Sequence, residues 1–509
     1  MFNVQGKNFN LGGEVTTEDI LKDIIEQDQG SQAKYEMVKG VKYYNTENDI
    51  ISRDFREYYV DGLKYIDYNK SNDMIINNLH KKLVDQKVGY IAGKPIIMES
   101  EEEGLVDLIN DLLGEKWHDI MQEWIQGASN KGREALQPFI NESGEFDYCL
   151  IPAEQVIYIT DTSYQKNVVQ AIRYYSMEWV IDGEVKQSIR VELWDSEKVT
   201  MYQETENMFG NSEYTMIAPG TLGVNINPRY HWYDYNTNFV DSSQTESFND
   251  TTLQGVSGNG WGRVPFISLK NNSETRSDLI PYKRYVDALD IVSSGFLNDL
   301  KDMQLAIWVL RGYEAETENG GLAEFMLNLQ KFKAINLSND DSSSAEPKTM
   351  EIPKEARVAL MEWLEKKIYQ VGQGVDESDI SGGSITNVVI KAMYAGLDLK
   401  ADQLITKMKS SLSEFMYFVV MFINDRDKTQ YDYKSIKFTF NKSMIFNNKE
   451  IVETLVMLKD IISRRTLLAN IPYVNDVDKE LEQLAEERQE ALSELDNNIG
   501  FNVDDEEGV

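Results

Sequence analysis

Two long helical stretches constrain this chain more than any other feature in it. After Pro265, residues Tyr282, Tyr285, Val286, Leu289, Val292, Phe296, Leu300 and Met303 form one apolar stripe at helical spacing. Read over about 26 residues at about 1.5 Å each, that helix is roughly 40 Å long. A second stretch runs from about Asn387 to Ile423, interrupted only by Gly396. A mid-helix Gly costs about 1 kcal/mol relative to Ala and often marks a bend, so Gly396 is the expected kink.

The rest of the chain alternates between helical and strand periods, which makes the expected fold class α+β. A helix is expected from Thr17 to about Glu26, followed by a polar segment ending in Tyr43 and Tyr44. From Asp73, Ile76, Leu79, Leu83, Val84, Val88 and Ile91 recur at helical spacing and lead into the turn Gly93-Lys94-Pro95. Helices about Leu105 to Leu113 and Lys116 to Asn130 come next, and the period changes at Phe146. Ile189, Val191 and Leu193 then alternate with Ser188, Arg190 and Glu192, the pattern of a half-buried antiparallel strand. Residues 219–262, rich in Gly, Asn, Ser and Thr, read as a long irregular insertion. IWVLRGY, a helix near Leu322 to Leu329 and KFKAINL suggest a small strand, helix, strand unit ending in the Ser-rich loop SNDDSSSAEP. Pro353 opens a helix running to about Val371, and a polar loop from Gly372 to Ser384 leads to the second long helix. YKSIKFTF reads as a strand, helices follow near Lys449 to Ser463 and Asp478 to Asp496, and the acidic tail VDDEEGV is expected to be disordered.

Chemistry is notable for what the motifs lack. No Gly-Lys-Ser/Thr phosphate loop occurs, and Gly372-Gln373-Gly374 is too short a glycine pattern to cradle a phosphate. Neither G-x-S-x-G nor H-E-x-x-H is present, so no hydrolase has an anchor. The single Cys149 excludes a disulfide framework, and His80, His118 and His231 are too scattered for a metal cluster. No cofactor, no metal and no enzymatic activity are expected. The longest apolar run, Met416 to Ile423, falls far short of the roughly 20 residues that span a bilayer, so no membrane partner is expected. A formal charge of −34 argues against a protein that grips DNA by its phosphates, since such binders release counterions to Lys and Arg patches. Acidic residues number 85, so pairs such as Asp340-Asp341 arise by chance and read as solvated surface.

Four collinear stretches resemble the portal proteins of tailed phages, in the branch infecting Gram-positive hosts. They are NNLHKKLVDQKVGYIAGKPI at Asn77 to Ile96, WGRVPFISLKNN at Trp261 to Asn272, DLIPYKRYVDALDIVSSGFLNDLKDMQLAIWVLRGY at Asp278 to Tyr313, and ISGGSITNVVIKAMYAGLDLKADQL at Ile380 to Leu404. Their order over about residues 45 to 490 is more specific than any one of them. The loop departs from its relatives in ending Ser384-Ile385-Thr386-Asn387, where they read Ser-Gly and a small residue.

The resemblance implies a portal fold with a mixed wing, a long-helix stem, a small clip and a helical C-terminal crown. Residues 1–277 would be the N-terminal part of the wing, 278–307 and 353–371 the stem helices, and 308–352 the clip. Residues 372–386 would be the tunnel loop, 387–446 the long kinked helix with the rest of the wing, 447–496 the crown and 497–509 an acidic disordered tail. It further implies a dodecameric ring at one capsid vertex of the virion, assembled in the host cytoplasm with major capsid and scaffolding proteins. That ring docks the terminase motor and later the head-completion adaptor, while double-stranded DNA passes through the channel. Channel-facing candidates are Asp376, Glu377, Ser378, Asp379, Ser381, Gly382, Gly383 and Ser384, which offer no positive charge. Lys391 and Lys400 are candidates for DNA or intersubunit contact, and Trp363 and Tyr394 for helix packing. A competing reading, a metal-dependent nuclease using Asp376, Glu377 and Asp379, rests on acidic content alone.

Overall fold

The computed structural model describes residues 2–4, 7–9, 17–68, 70–141, 143–164, 166–181, 184–206, 212–234, 257–302, 307–311, 344–348, 353–376, 386–443, 455–458, 461–469, 471, 474, 477 and 480–489. The fold is α+β and divides into two compact units, residues 1–374 with 401–441 and residues 375–400 with 442–509. Helices are labelled α1 (Thr17–Gln29), α2 (Gln32–Tyr44), α3 (Leu79–Ala92), α4 (Leu105–Leu113), α5 (Lys116–Lys131), α6 (Lys283–Asp302), α7 (Lys354–Gly372) and α8 (Asn387–Asp427).

An antiparallel sheet organises the first unit, in the spatial order Ser212–Met216, Lys198–Glu206, Glu184–Trp194, Val168–Ile181, Val156–Thr160, Phe2–Val4 and Lys7–Phe9. The alternation read from the sequence sets its register. Ile189, Val191 and Leu193 stand opposite Ser176, Tyr174 and Ile172 on the next strand. α1 lays Leu21, Ile24 and Ile25 against Ile157, Ile172, Val191 and Tyr202 of this sheet. Full burial of each such side chain stabilises by about 1.5–3 kcal/mol.

Three strands, Ile267–Lys270, Arg133–Ile140 and Phe146–Ile151, form a second sheet. It is roofed by α5, whose Trp124 donates its Nε1 hydrogen to the Glu134 carbonyl at 3.0 Å. The part of α8 within this unit buries Met416, Phe418, Val419, Val420 and Ile423, the apolar run of the sequence. Phe415 stacks on Trp117 with centroids 5.4 Å apart, and Phe418 meets Trp261 edge-on at 5.7 Å.

Several expectations need correction. The polar segment after α1 is the helix α2, capped by Ser31, whose Oγ accepts from the Lys34 N–H at 3.1 Å. Its buried face includes Glu36 and Gly40 beside Met37 and Tyr43, so no apolar stripe announces it. A Cβ on Gly40 would lie 1.8 Å from the Asn130 carbonyl oxygen, so the backbones of α2 and α5 touch there.

The 219–262 insertion is tied down at its described ends. Asn227 accepts from the Met201 N–H at 2.9 Å and donates to the Met201 and Ile217 carbonyls, each at 2.8 Å. One amide thus satisfies three backbone groups where no periodicity is needed. Trp232–Asp234 also pairs with Ser257–Asn259.

The strand Ile307–Arg311 pairs with Ser344–Lys348, inside the segment read as the Ser-rich loop. The expected helix near Leu322 to Leu329 and the strand KFKAINL lie outside the described residues, as does the tail.

Candidate functional site

The residues expected to face a channel, 372–386, begin where α7 ends. α6 and α7 pack in one cluster, where Tyr282, Val286 and Leu289 meet Leu364, Ile368 and Tyr369, with Tyr43 and Leu83 closing it. Arg357 of α7 pairs with Asp299 of α6, and Trp363 sits edge-on to Tyr285 with centroids 6.3 Å apart. Trp363 is nonetheless 51% exposed, so packing accounts for only part of its surface. Tyr394 is buried, in keeping with a helix-packing residue.

The apolar stripe read along α6 does not define its buried face. Beyond Leu289 the buried residues are Asp290, Ser294 and Asn298, whereas Val292 and Phe296 are half-buried and Leu300 is exposed. The reason lies in residues 71–77, which are extended rather than the helical start expected from Asp73. The backbone N–H groups of Ser71, Asp73, Ile75 and Asn77 donate to side chains of Asp302, Asn298, Ser294 and Asp290, at 2.9, 2.8, 2.9 and 2.8 Å. Four residues of helix rise about 6 Å and two residues of strand about 6.6 Å, so the two ladders stay in step over four rungs. Asp290 also accepts from Asn48 Nδ2 at 2.6 Å and Asn77 Nδ2 at 2.9 Å. Burial pushes its carboxyl above the usual range, and the bonds from Asn48 and Asn77 pull the other way. The i, i+4 spacing of Asp290, Ser294, Asn298 and Asp302 was the signal in the sequence that could have shown this.

α7 ends as a capped helix. Pro353 stands just before it, its carbonyl accepting from the Arg357 N–H at 3.2 Å. At the far end Gln373 takes the left-handed conformation with φ 56°, and the Gly374 N–H returns to the Tyr369 carbonyl at 3.0 Å. Gly372 and Gly374 are there for close packing. A Cβ on either would lie 2.7 or 2.1 Å from a Leu83 methyl.

Of the channel-facing candidates, Asp376 is described and half-buried. Glu377, Ser378, Asp379, Ser381, Gly382, Gly383 and Ser384 lie outside the described residues. In the second unit, α8 starts at Asn387 and buries Ile390, Tyr394 and Leu397, leaving Val388 and Val389 exposed. Lys442 pairs with Asp398 at 2.6 Å. Gly396 lies inside α8. Lys391 is exposed and Lys400 half-buried. Nine residues turn a helix by about 900°, so these two lysines point to opposite sides and do not form one patch. Among the described residues no group of three or more His, Cys, Asp or Glu is placed to share a metal ion, and no helix is long and apolar enough to cross a membrane.

Residues 22–494 match the model of the family described as "Phage portal protein, SPP1 Gp6-like". The chain is 31% identical over 476 residues to the portal protein of Bacillus phage SPP1, covering 93% of this chain and 86% of the relative. It is 27% identical over 489 residues to the portal protein of Clostridium phage phiCD119, covering 93% of this chain and 97% of the relative. Among solved structures, the neck of an empty GTA particle aligns with a TM-score of 0.40 at 10% identity, over 77% of this chain and 90% of that one. That structural likeness is too distant to carry an argument; the sequence match is not, and by it the chain belongs to the SPP1 Gp6-like family of phage portal proteins.

Proposed function

We propose that the chain is one subunit of a dodecameric ring at the portal vertex of a phage capsid, forming the channel by which double-stranded DNA is packaged and ejected. The observation that carries this reading is the family match over nearly the whole chain, residues 22–494 of 509. In this reading the ring docks the terminase motor during packaging and the head-completion adaptor afterwards. The motor supplies the work, since this chain has no phosphate-cradling loop with which to hydrolyse ATP. The subunit is a structural part, with no catalytic role and no cofactor.

The mechanism follows from charge. Twelve copies at −34 each give a ring carrying roughly −400, a field that disfavours lasting contact with phosphates. Residues 372–386 would face the channel, and Asp376, Glu377 and Asp379 within them repel a passing backbone rather than pair with it. Gly396 would be a bend in α8. DNA then slides because nothing along its path holds it.

Replacing Asp376, Glu377 and Asp379 together by Lys tests this. Packaged DNA per particle is expected to fall at least tenfold. Isolated rings should gain duplex binding that weakens steeply with salt, since each new phosphate contact adds about 0.9 to the slope of log affinity against log salt. Packaging at the wild-type level with no gain in DNA binding would remove the loop from the channel.

A further inference from the structure

The first unit holds an open cleft of about 990 Å³ whose wall gathers Lys166, Arg263, Lys270 and Lys407. Four separate pieces of chain bring them there: the turn before Val168–Ile181, the turn after Trp261, the end of Ile267–Lys270, and α8. Among the described residues no carboxylate lies within ion-pair distance of any of the four. Arg263 is held by aromatic rings instead, its guanidinium 3.8 Å above the Tyr417 centroid and bonded to Tyr433 Oη at 3.3 Å. Burial lowers the Lys270 ammonium, and the neighbouring charges of Arg133, Lys407 and Lys166 lower it further. The acid on the wall, Glu414, is pushed up by burial, while the charges of Arg263 and Lys270 pull it back. In a chain of net charge −34, this recess gathers four cations against one acid, Glu414.

We propose that the cleft is a socket for the acidic α4 edge of a second copy of this chain, the adjacent subunit of the ring. Residues 99–115 contain seven Asp and Glu and no Lys or Arg. Within them Glu103, Asp107, Asp111 and Glu115 are all exposed; Asp107 and Asp111, one i, i+4 step apart, share one side of α4, and Glu103 and Glu115 flank its two ends. The opposite side is anchored by Leu105, Ile109 and Leu113, each buried to 1% exposure or less, so the acidic edge is rigid.

Charge complementarity selects this occupant. Copies of an acidic chain repel one another, and opposite charges where neighbours meet offset that repulsion and fix the register. A ring contact is heterologous, one surface of a subunit against a different surface of the next, as a socket and an edge on the same chain require. A DNA duplex presents phosphates along a line and is met by a stripe of cations, not by a recess holding four.

This inference rests on the ring reading, and one experiment separates the two. A cleft variant carries Lys166→Glu, Lys270→Glu and Lys407→Glu, and an edge variant carries Glu103→Lys, Asp107→Lys and Asp111→Lys. Each alone, with circular dichroism unchanged, is expected to need at least tenfold more protein to form rings. An equimolar mixture should restore assembly, because alternating subunits make every socket and edge complementary again, and native mass spectrometry should show equal numbers of both. The neutral variant Lys270→Gln with Lys407→Gln should weaken assembly without adding acid. Normal assembly of both reversed variants, or a mixture that fails to recover, would overturn the socket while leaving the ring intact. So would a cleft variant that assembles normally and loses only DNA binding. Wild-type protein that forms no ring under any condition would instead overturn the ring reading itself.

Discussion

Lys87→Met is expected to destabilise the first unit by about 3–5 kcal/mol, measured as a shift of the urea midpoint at unchanged slope. Lys87 is 1% exposed, in the middle of α3. Its Nζ donates to Asn271 Oδ1 at 2.5 Å and to Asp278 Oδ2 at 3.0 Å. Asn271 in turn donates to Asp278 Oδ1 at 2.9 Å and to the Arg276 carbonyl at 3.0 Å. Removing the ammonium would take the Lys87 partner from a carboxylate that is 8% exposed. An uncompensated buried charge costs far more than the pair gains, so the loss is set by what remains behind. Adding Asp278→Asn to Lys87→Met should therefore recover a large part of it. A loss under about 1 kcal/mol for Lys87→Met would mean that the triad does not hold the end of the second sheet to α3.

Asp290→Leu is expected to cost about 3 kcal/mol and to act locally as well. It would remove the acceptor of three donors: the Asn77 N–H, Asn77 Nδ2 and Asn48 Nδ2. Each buried donor left unpaired costs about 1–3 kcal/mol, and partial relaxation keeps the total below the sum. Ser294→Ala removes one rung and should cost about 1 kcal/mol. The ladder predicts where the effect appears. Amide hydrogen exchange at Ser71, Asp73, Ile75 and Asn77 should accelerate together in Asp290→Leu, since these four N–H groups depend on α6 side chains. Unchanged protection at those amides would show that the extended segment is held by something other than this ladder.

The elements that could be read from the sequence are those whose burial is apolar. α8 was expected from Asn387 to Ile423 and runs to Asp427, because its buried positions are hydrophobic along both parts. The strand around Ile189 to Leu193 was legible for the same reason, at period two. Where polar side chains do the holding, periodicity is silent. α2 buries Glu36 and Gly40, residues 71–77 lie against Asp290, Ser294 and Asn298, and Asn227 ties down the insertion. The stripe read on α6 included Val292, Phe296 and Leu300, yet short polar residues occupy the buried side at that end, because the neighbour there is bare backbone needing acceptors. Of the candidate site, charge and composition were legible and placement only in part. Lys391 and Lys400 carry the charge for a DNA contact, but their nine-residue separation sends them to opposite sides of α8. The cleft of Lys166, Arg263, Lys270 and Lys407 escaped notice because four distant pieces of chain build it and no local motif announces it.

The proposed function requires that this chain close into a ring with an open axis. Electron microscopy of the purified protein tests it most directly, with particle mass measured on the same sample. Twelve copies of a 58.5 kDa chain should give particles of roughly 700 kDa with twelvefold symmetry and a central channel. Compact monomers and dimers alone, across salt and concentration and with scaffolding protein present, would contradict it.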